Sequence, residues 1–228
     1  MSEFSREKHK EFGFSREMDV LPGFLPEDEL DVAASVPDAS ASHPRPYFLF
    51  VGRLEFIKGL QDVIPLFEGE GPADLVIAGG GDYATTLRNQ AGSNPRVRFL
   101  GRVPSDSLAA WYRGATAVVV PSLCYETFGI VLLEAFRQST PVIARRLGPL
   151  PELIEAAGGG IVFGNRAELE AAMTRLLHDP EHRATLARSG HEALRALWSE
   201  RTVVPRYLDI VRSVAADRGN ARVLSLLS

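Results

Sequence analysis

Two carboxylates, Glu126 and Glu134, stand with seven residues between them in the stretch Pro121–Pro141, PSLCYETFGIVLLEAFRQSTP. The run before it, Ala117–Val120, is apolar and too short for a helix, and it reads as a buried parallel strand stopped by Pro121. A polar loop, Ser122–Thr127, follows, and from Phe128 to Phe136 apolar residues return at helical spacing. Strand, polar loop and helix start, in that order, make an anion site. The N–H groups of Thr127, Phe128, Gly129 and Ile130 are expected to face outward, and the helix dipole adds partial positive charge there. Gly129 is expected to leave room for a ligand against the backbone. The Glu134 side chain leans toward the helix N-terminus, so that it and Glu126 in the loop above can converge on one ligand. A ligand that wants amides on one part and carboxylates on another is a phosphate carrying hydroxyls.

Two cations add to this chemistry. Arg53 and Lys58 flank the loop after the apolar run Tyr47–Val51, in the segment GRLEFIKG. An arginine fork and a mobile lysine charge near a helix start can neutralise a diphosphate without a metal. Alone, either residue reads as a solvated charge on a turn. The glycine run in GGGDYA, Gly79–Ala84, fits the loose dinucleotide pattern G-x-G-x-x-A. It follows the second predicted strand rather than the first, and the next strand ends Leu100-Gly101-Arg102 with no acid to hold a ribose diol, which argues against a nicotinamide enzyme.

The Glu126/Glu134 spacing, with the wording PSLCYETFG, LLEAF and TPVIA around it, resembles the EX7E motif of retaining glycosyltransferases of the GT-B fold. That is the large glycosyl transferases group 1 (GT4-like) family, whose members include glycogen and sucrose synthases. GRLEFIKG likewise resembles the family's donor-phosphate motif. The resemblance implies that Arg53 and Lys58 stabilise the diphosphate and that Glu126 lies beside the donor sugar, positioning it and supporting charge at the reacting centre. It implies that Glu134 accepts from two ribose hydroxyls, and that Arg102 and Val103 hold the nucleotide base through backbone groups. Gly52, Gly79 and Gly81 would let backbone turns pass close to the donor, with Thr127, Phe128, Gly129 and Ile130 at its phosphates. Leu147–Glu152 departs from the family's paired-glycine loop, so no donor contact is carried over to it. The implied donor is a UDP- or GDP-linked sugar, with no metal required.

These loops need a scaffold that brings them to one edge. Short apolar runs at 47–51, 73–78, 97–101, 117–120, 142–144 and 160–163 alternate with helical segments near 83–91, 108–113, 129–138 and 151–156, the pattern of a doubly wound, Rossmann-like parallel sheet. A short helix broken at Pro65 is expected over 60–67, and helices over 166–178, 181–198 and 202–216 close the chain. Residues 26–46 have no periodicity and read as a linker. Residues 2–12 pattern as a basic amphipathic helix with Phe4, Lys8 and Phe12 in register, capped by Ser2 or Ser5. With the extended segment 18–21 this start resembles the end of a preceding acceptor domain, and it is also compatible with a plain helix capping the sheet. The division expected is therefore 1–25 as a domain remnant, 26–46 as linker, 47–216 as the nucleotide-sugar domain and 217–228 as a tail.

Composition narrows the rest. The chain has 228 residues, 45% hydrophobic and 24% charged, and its net charge of −4 argues against a dedicated nucleic-acid binder. A single cysteine, Cys124, excludes an internal disulfide framework and is compatible with a cytoplasmic location. Cys124 reads as a filler, Trp111, Tyr112 and Trp198 as core residues, and the histidines as lacking metal spacing. Two functions follow: the donor half of a sugar transferase, inactive without an acceptor domain, or a stand-alone module that binds a nucleotide sugar without catalysis.

Overall fold

A computed structural model describes residues 2–26 and 43–227. Six strands form one all-parallel sheet: β1 (Tyr47–Val51), β2 (Asp74–Ala78), β3 (Val97–Gly101), β4 (Ala117–Val120), β5 (Val142–Arg145) and β6 (Gly160–Phe163), in the order β3-β2-β1-β4-β5-β6. The chain thus winds outward from β1 to one edge, returns to pair β4 with β1, and winds outward the other way. The doubly wound α/β class read from the alternation of elements is the one observed.

Period-two alternation sends each strand's side chains into two cores. Tyr47, Leu49, Val76, Val118, Val120, Val142 and Ala144 face one layer, and Phe48, Phe50, Leu75, Ile77, Ala117, Val119 and Ile143 face the other. On the first side pack α3 (Ser105–Gly114), α4 (Ile130–Arg137), α5 (Leu150–Ala157) and α7 (Pro180–Leu197); on the second, α2 (Ala84–Ala91) and α6 (Arg166–His178). The helix expected over 60–67 is instead three short 3₁₀ turns, Phe56–Lys58, Leu60–Asp62 and Ile64–Phe67. Gly59 between the first two is left-handed at φ 73°, and Pro65 has no N–H to continue an α-helical ladder.

At the N-terminal edge, α1 (Glu3–Glu11) is capped by Ser2, whose hydroxyl accepts from the Ser5 N–H. Its stripe is shorter than expected, because Phe12 is 85% exposed. Residues 18–21 form no strand. The chain is tied down at Leu25, whose N–H donates to the Trp198 carbonyl and whose carbonyl accepts from Glu200. That places the start of α8 (Glu200–Asp217) against the N-terminal segment, and Arg206 donates to the Val20 carbonyl. Most of the linker expected over 26–46 lies outside the described residues, but its end is anchored: buried His43 bonds Asp74 at 3.0 Å. The tail contains a short helix, α9 (Ala221–Leu226), capped by Asn220.

Candidate functional site

β1 and β4 are neighbours although two strand units separate them in sequence, so their outgoing loops part to opposite sides and leave a crevice at the carboxyl edge. Into it come Gly52, Arg53 and Lys58 from the loop after β1, and Ser122 and Glu126–Val131 from the loop after β4 and the start of α4. Together with strand ends these line a cavity of about 290 Å³. A second cavity of about 530 Å³ adjoins it, sharing Val51, Gly52 and Arg53; Gly79, Gly80, Gly81 and Asp82 after β2, Arg102 and Val103 after β3, Glu55 and Leu108 complete its wall. The two together are of the size usual for a small-molecule site.

Inside the first cavity Lys58 Nζ donates to both oxygens of Glu126, at 2.8 and 2.9 Å, and Ser122 Oγ donates to Glu126 Oε1 at 2.5 Å. The lysine and the carboxylate are each more than four-fifths buried, so the pair is screened little by solvent. Arg53 behaves differently: its side chain is 72% exposed and pairs with Glu55 at 2.8 Å on the rim. The mobile cation of the sequence reading is therefore the one held in place, and the fork is the one left at the mouth.

Glu134 has a different partner from Glu126. It sits one helical turn below Ile130 on α4 and lines neither cavity wall; Oε2 accepts from the Tyr112 hydroxyl at 2.6 Å. Tyr112 lies on α3 and is 1% exposed; burial, then the negative charge of Glu134, pushes its phenol well above the usual value of 10.0. The hydroxyl therefore stays protonated and stays a donor.

Three of the glycines are required by the backbone itself. Gly129 has φ 100° as the N-cap of α4, and a Cβ there would approach Leu150 and Leu153 of the core rather than the cavity. Its conformation, not room for a ligand, requires glycine. A Cβ on Gly79 would lie 1.8 Å from the Gly52 carbonyl oxygen, and one on Gly81 would lie 2.4 Å from that of Leu54. These residues let the loops after β1 and β2 pass against each other, and so set the wall the two cavities share.

Sequence reasoning missed four contributors. Ser122 and Glu55 carry no periodic signal in their loops. Tyr112 was read only as core, which its ring is. Glu152, set aside with its loop, accepts from the Glu3 and Phe4 N–H groups at 3.0 Å each and holds α1 beside the loop that carries Glu126. There Phe4 meets Tyr125, the neighbour of Glu126, edge-on at 4.8 Å between ring centroids. Among the described residues no three His, Cys, Asp or Glu side chains gather as a metal site, and no helix is long and apolar enough to cross a membrane.

Residues 35–193 match the glycosyl transferases group 1 family. The chain belongs to that family. A D-inositol 3-phosphate glycosyltransferase of Catenulispora acidiphila is 35% identical over 195 residues, covering 76% of this chain and 45% of that protein. Among solved structures, sucrose-phosphate synthase from Thermosynechococcus elongatus superposes with a TM-score of 0.83 at 26% identity, over 95% of this chain and 58% of that one. Anabaena HepE, solved with UDP and glucose, shares the fold at a TM-score of 0.77 and 22% identity, over 93% of this chain and 61% of that one. The sheet is therefore Rossmann-like and of the kind found in GT-B glycosyltransferases. The chain spans 30–47% of the length of the curated relatives it matches.

Proposed function

We propose that this chain is the donor-binding half of a retaining group 1 glycosyltransferase, taking a UDP- or GDP-linked sugar and delivering the sugar to an acceptor held by a separate domain or subunit. The observation that carries the reading is Lys58, held by Glu126 in the loop that leads into α4, inside the crevice between β1 and β4. A diphosphate entering there replaces Glu126 as the lysine's partner and meets the first amides of α4, which have no carbonyl within the helix to bond. The bond from the anomeric carbon to the diphosphate oxygen breaks with its electron pair going to the diphosphate, the acceptor's hydroxyl oxygen bonds that carbon, and its proton passes to the departing diphosphate. Lys58, Arg53 and the α4 amides stabilise that charge. Glu126, freed from Lys58, faces the sugar side and positions it. The base lies in the larger cavity against Arg102 and Val103, and Glu134 holds the ribose. Two cations and a helix start meet the phosphates, so the binding proposed requires no metal.

Calorimetric titration of UDP and of GDP into the chain, without added metal, tests this. One nucleotide is expected to bind, and Lys58→Ala and Glu134→Ala each to weaken it about tenfold or more. Failure of the folded chain to bind either overturns the donor-site reading. Binding without any transfer when the rest of the protein is supplied favours the stand-alone binding module, a reading supported by the completeness of both cavities within residues 50–131.

A further inference from the structure

We propose that Tyr112 is a positioning residue that holds Glu134 for the ribose of a bound nucleoside diphosphate and thereby makes the site select ribose over deoxyribose; this rests on the nucleotide-sugar reading above. The phenol donates to Glu134 Oε2 at 2.6 Å, the short length of a hydrogen bond to an ionised acceptor. One carboxylate oxygen is thereby fixed by a buried donor, and the ribose hydroxyls are to bond the other.

Donor and acceptor sit on helices that are themselves tied together. The Thr140 hydroxyl donates to the Tyr112 carbonyl at 2.7 Å, and Arg113 Nη2 donates to Gln138 Oε1 at 3.0 Å, so the end of α3 is joined to the end of α4. Glu134 occurs one turn after Ile130 and Val131, both in the wall of the first cavity, and its side chain leans back toward that wall. A half-buried glutamate without an inner partner samples several rotamers, and a ligand has to order it on binding. The Tyr112 bond does that ordering in advance. Packing alone does not call for the hydroxyl: a phenylalanine fills nearly the same volume with no buried polar atom to satisfy.

The test compares a ribonucleotide with its dideoxyribose counterpart, which lacks both hydroxyls. UDP and GDP are titrated into wild type and Tyr112→Phe, each with its dideoxy form. Wild type is expected to prefer the ribonucleotide. Tyr112→Phe is expected to weaken ribonucleotide binding about tenfold and to leave the dideoxy affinity unchanged, so that the preference collapses. Equal weakening of both forms, or no change in either, overturns the proposal. Wild type that binds nucleotide without preferring ribose also overturns it while leaving the donor-site reading intact; binding of no nucleotide removes both. A measurement in the unmutated chain guards against a variant that does not fold: with carbon-13 at the tyrosine Cζ, the Tyr112 resonance should shift on ribonucleotide binding and not on dideoxynucleotide binding. Identical responses to the two overturn the assignment.

Discussion

Lys58 and Glu126 neutralise each other in the crevice, with Ser122 as a third partner. Replacing Lys58 leaves a largely buried carboxylate with Ser122 as its remaining partner. Lys58→Met should therefore cost about 2–3 kcal/mol of unfolding free energy, softened by the Ser122 bond, and remove most nucleotide affinity, as read by chemical denaturation and titration on the same sample. Tyr112 makes a pH-dependent prediction. Its folded pKa is raised above the ordinary value of 10.0, so the unfolded chain gives up this proton first. The stability it contributes is complete below about pH 10 and is lost as pH rises toward the folded pKa. Urea unfolding between about pH 9 and pH 11 should show a decline in wild type that is smaller in Tyr112→Phe; equal declines would assign it to other groups. At this scale the carboxylates and cations were visible from their spacing. Tyr112 was not, because a buried tyrosine looks the same in sequence whether or not its hydroxyl has work to do.

Among the elements, α1 is the one whose place depends on a single distant residue. It has nine residues, none buried, and a helix of that length is marginal by itself in water. Glu152, in the first turn of α5, acts as a cap supplied from across the chain, accepting from two of the amides that α1 leaves open. Glu152→Ala should raise amide exchange in α1 and leave the sheet and α4 protected, at a local cost of about 1 kcal/mol. Unchanged exchange in α1 would mean that Phe4 on Tyr125 suffices to hold it. Gly79 gives a harsher result: a Cβ 1.8 Å from a backbone oxygen cannot be relieved by a side-chain movement, so Gly79→Ala should cost more than about 3 kcal/mol by thermal unfolding. Element types were legible wherever apolar periodicity was strong. The expected helix at 108–113 begins earlier, at Ser105, because its first turn carries Ser and Asp and adds no apolar stripe to read.

For the molecule as a whole, a doubly wound sheet with its crevice on one edge predicts that a ligand there stabilises the fold. Nucleotide at about a hundred times its dissociation constant should add roughly 2.7 kcal/mol and raise the melting temperature by about 5–10 °C for a chain of this size. The purified 228-residue chain, supplied with UDP- or GDP-sugars and simple sugar acceptors, should give negligible transfer, since the proposed acceptor site lies in another domain or subunit. Robust transfer by this chain alone would overturn that division of labour.

What the linear order of residues determined by itself was the alternation of buried strands and amphipathic helices, the polar loops at the strand ends, and the charge types in those loops. These are local quantities, set by side-chain period and turn chemistry over a few neighbours. Only the tertiary structure decided which loops meet. Pairing β1 with β4 brings Lys58 onto Glu126 across 68 positions of sequence. Packing α3 on α4 gives Glu134 its tyrosine, and the crossing of two loop backbones demands the glycines after β2. Such contacts are chosen by burial and hydrogen-bond satisfaction summed over the whole core, a sum that has no local signature along the chain.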